Sequence, residues 1–383
     1  RDEGIFYWDK TNGVTARAVS LASLGVAADN IPTIAKQVLV SDKDRHIIAF
    51  GCDPETSIGT QDPLLIRFGS QESLTDWSAQ ATNTAGDLRI GSGSEIITAV
   101  ETRQQILVFT DVSLHAMQFL GPPFTFGIST VSENITTASP LCAIAVNDNV
   151  FWMGQKEFYV YAGAVNKLPC TVKDFVFSDF NEQQIQKVTA ANNSSFSEIW
   201  WFYPSASSDE NDRYVVFNYE QSIWYYGTLT RTAWIDRGID DLPIAASNDH
   251  YLYDHETGFD DGSTSPASAV LAHIESSQID LSDGDQFVFL SRLLPDVTFR
   301  NSTASAPSVT FTMSTRNYPG GAYLQTDANA VTKSTSSTVE QFTNLINTRL
   351  RGRSFNMKVE NSATETTWRL GTPRVELKQD GRR

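Results

Sequence analysis

Acidic side chains come closest to a chemical pattern in this sequence, and the chemistry they would support is calcium binding. Five of them fall close together and three more follow: Asp249, Asp254, Glu256, Asp260, Asp261, Asp280, Asp283 and Asp285. Calcium prefers such carboxylate oxygens, but neither run has the spacing of a D-x-[DN]-x-[DN]-G loop. We therefore expect solvated acidic turns, and we predict neither a metal site nor a cofactor.

Cysteine and histidine form no metal-binding or disulfide pattern. The cysteines Cys52, Cys142 and Cys170 are widely spaced, no C-x-x-C occurs, and the 5 histidines are scattered. A zinc site or a disulfide framework is thus disfavoured, and we expect buried free thiols.

The motifs of common enzymes are also missing. The sequence has no G-x-S-x-G elbow, no P-loop and no G-x-G-x-x-G that opens a helix. The segment Ser73–Trp77 matches only part of the recurring S-x-D-x-G-x-x-W turn of sialidases, and it does not repeat. We predict no catalytic residues and no enzymatic activity. A glycosidase is the minor alternative, because the fold can bring two carboxylates together from distant positions.

Short strands are the elements that must position any site. β-branched and aromatic runs alternate with turn residues through most of the chain, which is typical of many short strands. Six of these runs form a weak repeat of roughly 40–50 residues: Gly4–Trp8, His46–Phe50, Gln105–Thr110, Asn149–Met153, Glu198–Tyr203 and His250–Asp254. Most are followed by a second strand: Pro63–Phe68, Leu114–Phe119, Glu157–Tyr161 and Arg213–Tyr219.

This hairpin repeat predicts an all-β fold, with a β-propeller of about six blades over residues 1–265. A large β-sandwich is the alternative. Since each blade packs on its neighbours through both faces, we expect six tryptophans in the core: Trp77, Trp152, Trp200, Trp201, Trp224 and Trp234. The chain begins at Arg1 and runs directly into a strand pattern, so we expect that the propeller begins upstream.

A smaller β-rich domain is predicted over residues 266–383, after a turn-rich linker at Asp260–Ser268. We place a long Ser/Thr-rich loop near 325–341. Two stretches fit a helical period loosely, 174–188 and 338–350.

Charge is distributed unevenly. The 45 Asp and Glu outnumber the 29 Lys and Arg, for a net charge of −16, which disfavours binding of nucleic acid over a broad surface. Residues 205–285 contain 16 acidic and 3 basic side chains, whereas residues 349–383 contain 9 basic and 4 acidic ones. The basic end either faces solvent, pairs with the acidic region of its own chain, or docks on a partner.

Three segments carry a resemblance to a known family. They are LGPPFTFG at Leu120–Gly127, NDRYVVFNYEQSIWYYGTLTRTAWIDR at 211–237, and TWRLGTPRVELKQDGRR at the carboxyl end. Together they resemble tail proteins of short-tailed bacteriophages, of the nozzle or tail-hub type, also called tail tubular protein B or DNA-stabilisation proteins.

The resemblance implies a structural protein of the virion tail, assembled in the host cytoplasm. It implies a six-fold homo-oligomeric ring below the portal-adaptor ring, in contact with tail fibres or other tail components. Double-stranded DNA would be retained by this ring and would pass through it at ejection without sequence-specific binding. The alternative is a propeller that binds a receptor or a glycan. No membrane span is expected, because no apolar run is long enough.

The charge distribution and the resemblance to tail proteins together predict two kinds of functional residue, those that line the channel and those that dock subunits. Acidic residues are expected to line the channel: Asp240, Asp241, Asp249, Asp260, Asp261, Asp283 and Asp285. Subunit docking is assigned to the stiff aromatic turn with Phe124 and Phe126, and to the terminal Arg382 and Arg383. Packing of the aromatic turn within its own blade is the alternative.

Overall fold

The computed structural model describes residues 1–26, 29–262, 267–280, 284–318, 321 and 333–381. They form two compact units, Arg1–Glu256 and Thr257–Arg383, so the division falls slightly before the boundary expected from the sequence.

The first unit is a β-propeller built from successive antiparallel sheets, in which each strand pairs with the next. The first sheet is a two-stranded ribbon of β1 (Phe6–Tyr7) and β2 (Val19–Ser20). Four sheets of four strands follow. The first contains β3 (Gln37–Val40), β4 (Ile47–Phe50), β5 (Leu65–Phe68) and β6 (Gly86–Arg89), and the second contains β7 (Ile96–Glu101), β8 (Ile106–Thr110), β9 (Ser113–Gly121) and β10 (Thr125–Glu133). The third contains β11 (Ala143–Val146), β12 (Asn149–Met153), β13 (Phe158–Tyr161) and β14 (Val165–Lys167), and the fourth contains β15 (Thr189–Asn193), β16 (Glu198–Tyr203), β17 (Arg213–Asn218) and β18 (Ile223–Thr228). The last sheet has three: β19 (Ala233–Ile235), β20 (Ile244–Ala246) and β21 (Leu252–Asp254).

The first strands of consecutive sheets lie side by side, in the order β3, β7, β11, β15 and β19. They therefore form the inner wall of the propeller, and the later strands of each sheet lie outside them. The six recurring runs of the sequence each contain one strand of a different sheet, which confirms the prediction of a propeller with about six blades.

Aromatic side chains fill the spaces between blades, as the sequence predicted. Trp152 contacts Phe109 of the preceding blade at 5.1 Å between ring centroids, and Trp201 contacts Phe158 in the same way at 5.1 Å. Trp152 Nε1 donates to the carbonyl oxygen of Thr136 at 3.1 Å, so its polar atom is satisfied inside the core. Trp77, Trp152, Trp201 and Trp224 are buried, whereas Trp200 and Trp234 are half-buried.

Helices are few and short. The predicted helix at 174–188 is two pieces, an α-helix α1 at Lys173–Ser178 and a 3-10 helix at Glu182–Lys187. Further 3-10 turns lie at Lys10–Asn12, Leu21–Ser23 and Glu55–Ser57.

The predicted helix at 338–350 is wrong. The segment contains the end of strand β27 (Ser334–Glu340) and the start of strand β28 (Ile346–Gly352). In β28 burial alternates strictly, with Ile346, Thr348 and Leu350 inside, so a period of two outweighs the loose helical spacing. Residues 325–332 of the predicted loop lie outside the described residues, and residues 334–340 are strand rather than loop.

The second unit contains two main sheets. Besides β27 and β28, the strands of this unit are β22 (His273–Glu275), β23 (Ile279–Asp280), β24 (Val288–Leu294), β25 (Val297–Thr298), β26 (Ser308–Arg316), β29 (Ser354–Glu360), β30 (Arg369–Leu370) and β31 (Arg374–Gln379). One main sheet has the order β22-β29-β26-β27, with β23 also paired to β29, and the other has the order β28-β24-β31. Leu290 and Leu350 of one sheet share a core with Phe311 and Val359 of the other, so the sheets pack face to face.

Candidate functional site

A projecting hairpin in the second complete blade is the feature best placed to contact another molecule. Its strands β9 and β10 each have nine residues, whereas the neighbouring β8 has five. Strand β8 pairs with β9 only at Leu114–Met117. Beyond Met117 the hairpin therefore has no backbone pairing with β8, while Phe119 and Phe126 still pack on His46 and Phe68 of the preceding blade.

The tip of this hairpin is apolar. Leu120 is 60% exposed and Phe124 is 73% exposed, and they flank the Pro122–Pro123 turn, whose peptide bond is cis. Gly121, directly before the two prolines, has a φ of 77°, a backbone conformation that favours glycine. Leu120 lies against Gly127, where an added Cβ would be 2.6 Å from Leu120 Cδ1.

The two aromatic residues assigned to docking have different environments. Phe126 is only 3% exposed, and its ring lies 5.0 Å from that of Phe68 and 5.2 Å from that of His46. Phe126 thus packs within its own unit, and its assignment to docking is wrong. Thr125 has a φ of 57° and the pairing register shifts between Thr125 and Phe126, so regular strand alternation does not relate Phe126 to the exposed Phe124. Phe124 remains exposed in the turn. Leu120, the other exposed apolar side chain at the tip, was not singled out from the sequence, although it directly precedes Gly-Pro-Pro.

The acidic residues assigned to the channel do not form one cluster. Asp240 and Asp241 are exposed in the turn between β19 and β20, and Asp249 is exposed in the turn between β20 and β21. Successive turns of an antiparallel sheet lie at opposite ends of it, so Asp249 is separated from the other two. The Asp249 carboxylate accepts from Tyr251 N at 3.1 Å and Tyr253 Oη at 2.5 Å, and the Tyr253 contact lowers its pKa most.

The other acidic residues belong to the second unit or are not described. Asp260 accepts from the amide of Glu365 at 2.7 Å, and Asp261 and Asp285 are exposed. Asp283, Arg382 and Arg383 lie outside the described residues. Lining of a channel by these acids stays a prediction. Within the described part of the chain, no three His, Cys, Asp or Glu side chains are placed to hold a metal ion together.

A network of hydroxyl groups around His115 has the atoms of a serine–histidine pair. Its Nε2 lies 2.9 Å from Ser113 Oγ and 3.1 Å from Ser92 Oγ, and its Nδ1 lies 3.3 Å from Thr130 Oγ1. A hydrolytic triad places a carboxylate at the second nitrogen, and here a hydroxyl occupies that place. Burial lowers the pKa of His115 and favours its neutral form, so the group suits an internal polar network.

The cysteines are free, as expected from their spacing. Cys52 and Cys142 are buried and Cys170 is half-buried. Burial raises the pKa of Cys52 to about 12 and those of Cys142 and Cys170 to about 11. The thiolate, which is the nucleophilic form, is therefore suppressed at neutral pH.

Among the described residues, no helix has the length and apolar character needed to cross a membrane.

The sequence matches no protein-family profile and no curated protein. Several solved structures are similar to parts of it. Hsv2 of Kluyveromyces marxianus has a TM-score of 0.35 and 8% identity, over 58% of this chain and 60% of that chain. Hsv2p of Kluyveromyces lactis has a TM-score of 0.34 and 12% identity, over 57% and 61%.

The AfRom2 CNH domain has a TM-score of 0.32 and 10% identity, over 66% of this chain and 87% of that domain. The match spans less than two thirds of either Hsv2 chain. Similarity at this level carries no argument about activity.

Proposed function

We propose that this chain is a non-enzymatic, ring-forming subunit of a short phage tail, which retains double-stranded DNA and lets it pass at ejection. The proposal starts from the resemblance of Leu120–Gly127, 211–237 and the carboxyl end to tail nozzle proteins. An all-β propeller followed by a smaller β-rich unit is compatible with such a structural role.

The observation that carries the proposal is the projecting hairpin with its apolar tip. Leu120 and Phe124 lie at the tip of this hairpin, beyond its pairing with β8, and both side chains are exposed. Exposed apolar groups of this kind cost solubility and mark protein-binding surfaces. Since the tip offers proline, leucine and phenylalanine without a hydrogen-bonding side chain, it suits the apolar centre of a protein interface.

Replacement of the tip tests this proposal. In phage particles assembled with the variant, Leu120→Ser combined with Phe124→Ser should reduce incorporation of the chain at least about tenfold. Incorporation is measured by quantitative immunoblotting of purified particles. The fold should survive, because both side chains are exposed, and a thermal melt of the purified chain checks this.

The matched control is Val14→Ser combined with Phe342→Ser, which removes two exposed apolar side chains elsewhere. This control should be incorporated like the wild type. Normal incorporation of the tip variant would contradict the assignment of the hairpin to assembly.

A partly exposed aromatic cluster on the last complete blade, in which Trp200 also stacks on Trp234 of the next sheet, favours the second candidate, a glycan-binding propeller. The rings of Trp200 and Tyr214 lie 4.7 Å apart, and Tyr225 stands at the edge of Trp200 at 6.3 Å. Glu198 accepts from Trp200 Nε1 at 3.1 Å, and burial raises its pKa. Aromatic faces beside a carboxylate suit sugar rings. Binding on a glycan array that is lost in Tyr225→Ala would favour this candidate over a tail subunit.

A further inference from the structure

The exposed face of the sheet β28-β24-β31 is strongly basic. Its outward side chains alternate with the buried ones along each strand, and they include five cations: Arg292, Arg349, Arg351, Arg374 and Lys378. Two acids share the face or adjoin it, Glu376 and Asp380. We call this surface the basic face; it has a net formal charge of about +3.

Ion pairs inside the basic face neutralise only part of it. Glu376 contacts both Arg292 and Lys378, and Asp380 contacts Arg351 at 2.5 Å. Arg349 and Arg374 are exposed, and neither forms an ion pair with another described residue. Like charges gathered on one sheet face repel one another, so the fold of the unit gains nothing from these two arginines.

The rest of the chain has the complementary charge. The propeller unit, Arg1–Glu256, contains 32 acidic and 16 basic residues, whereas Thr257–Arg383 contains 13 of each. The entire net charge of −16 therefore belongs to the propeller. The acidic propeller unit of a second copy of the chain supplies a surface of opposite charge to the basic face.

We propose that the basic face docks on the acidic propeller unit of a neighbouring copy of this chain, with Arg349 and Arg374 as the arginines that pair across the contact. A contact between two different surfaces is head-to-tail, and its repetition gives a ring when the rotation between copies closes. Arginine suits the role because its planar fork binds a carboxylate through two hydrogen bonds. The inference rests on the proposed function and specifies one interface of the ring.

A charge reversal in the 383-residue chain tests the contact. Self-association is measured by sedimentation velocity at about 50 mM and about 500 mM salt, since salt screens surface charges strongly at the higher value. The wild type should associate at low salt and dissociate at high salt. Arg349→Glu combined with Arg374→Glu should weaken association at least about tenfold at low salt.

The matched control is Arg300→Glu combined with Arg369→Glu, which reverses two exposed arginines of the same unit that are not on the basic face. It should associate like the wild type, and both variants should melt like the wild type, because all four side chains are exposed. A wild type that stays monomeric, or a reversal that leaves association intact, overturns the proposal.

A polyanion is the competing partner for the same charges, and a labelled oligothymidine tests for it. If the wild type binds this oligonucleotide and the reversal of Arg349 and Arg374 abolishes binding without changing self-association, the partner is nucleic acid and the proposal falls. These experiments can contradict the docking of the basic face without contradicting the proposed function. A ring that forms through other faces would still incorporate into tails, and only the incorporation experiment addresses that.

Discussion

Single residues set the internal electrostatics of the propeller. Arg67 is buried, and its guanidinium donates to the carbonyl oxygens of Asn30 at 2.6 Å, Asp53 at 3.1 Å and Trp77 at 3.2 Å. These three carbonyl dipoles replace the hydration that the guanidinium group of Arg67 loses on burial. No local pattern predicts it, because the three acceptors come from separate loops that only the fold brings together.

His255 gives the propeller a pH dependence that can be measured. It is half-buried, it accepts from Arg231 Nε at 2.8 Å, and its ring lies 4.6 Å from that of Trp234. Burial, and then the charge of Arg231, lower its pKa from 6.5 to about 4. The unfolded chain therefore binds the proton at a higher pH than the folded one does. His255 thus destabilises the fold as pH falls from 6.5 towards 4.

The variant His255→Gln should remove part of this dependence, because glutamine can still accept from Arg231 but does not titrate. Urea unfolding at about pH 7 and about pH 5 measures the pH dependence of the unfolding free energy. We expect a smaller loss of unfolding free energy between the two values in the variant than in the wild type. His250→Gln, in an exposed turn, is the control. An unchanged difference in His255→Gln would contradict the buried, neutral histidine.

At the scale of elements, the packing between blades supplies the stability. Trp152 of β12 contacts Phe109 of β8 and stacks on Tyr159 of β13 at 5.1 Å, with its rings buried. Removal of such a side chain leaves a cavity and exposes its hydrogen-bond acceptor.

We therefore predict that Trp152→Ala lowers the free energy of unfolding by about 3–5 kcal/mol. Trp8→Ala, at an exposed site, should cost less than about 1 kcal/mol. Chemical denaturation followed by circular dichroism measures both. Equal losses in the two variants would show that the contact between these blades does not stabilise the unit.

Much of the architecture could be predicted from the sequence, because hairpin strands and their turns are local patterns. The runs His46–Phe50 and Glu198–Tyr203 are strands β4 and β16 or contain them. The helix predicted at 338–350 was wrong because its helical periodicity was weak. Buried and exposed residues alternate along Ile346–Gly352, and this pattern of a strand determined the structure.

The candidate site was less predictable. Phe124 was found through its turn, but its neighbour Phe126 faces inward, and the pairing that extends the hairpin past β8 is a property of the sheet. The basic face also depends on register, since Arg292, Arg349 and Arg374 come together only when their three strands pair.

At the scale of the whole molecule, charge is segregated between the two units. An acidic propeller beside a unit of balanced charge suits a ring in which copies contact one another through opposite charges. The same acidity opposes tight binding of a DNA duplex, because each phosphate contact would need a cation. A conduit that retains DNA and then releases it needs this weak interaction with the phosphate backbone.

Electron microscopy of native short-tailed particles labelled with an antibody to this chain distinguishes a tail subunit from the alternatives. We expect label confined to the axis of the tail, below the portal vertex, because a ring that continues the channel lies there. Label on peripheral fibres, or no label on any particle, would contradict it.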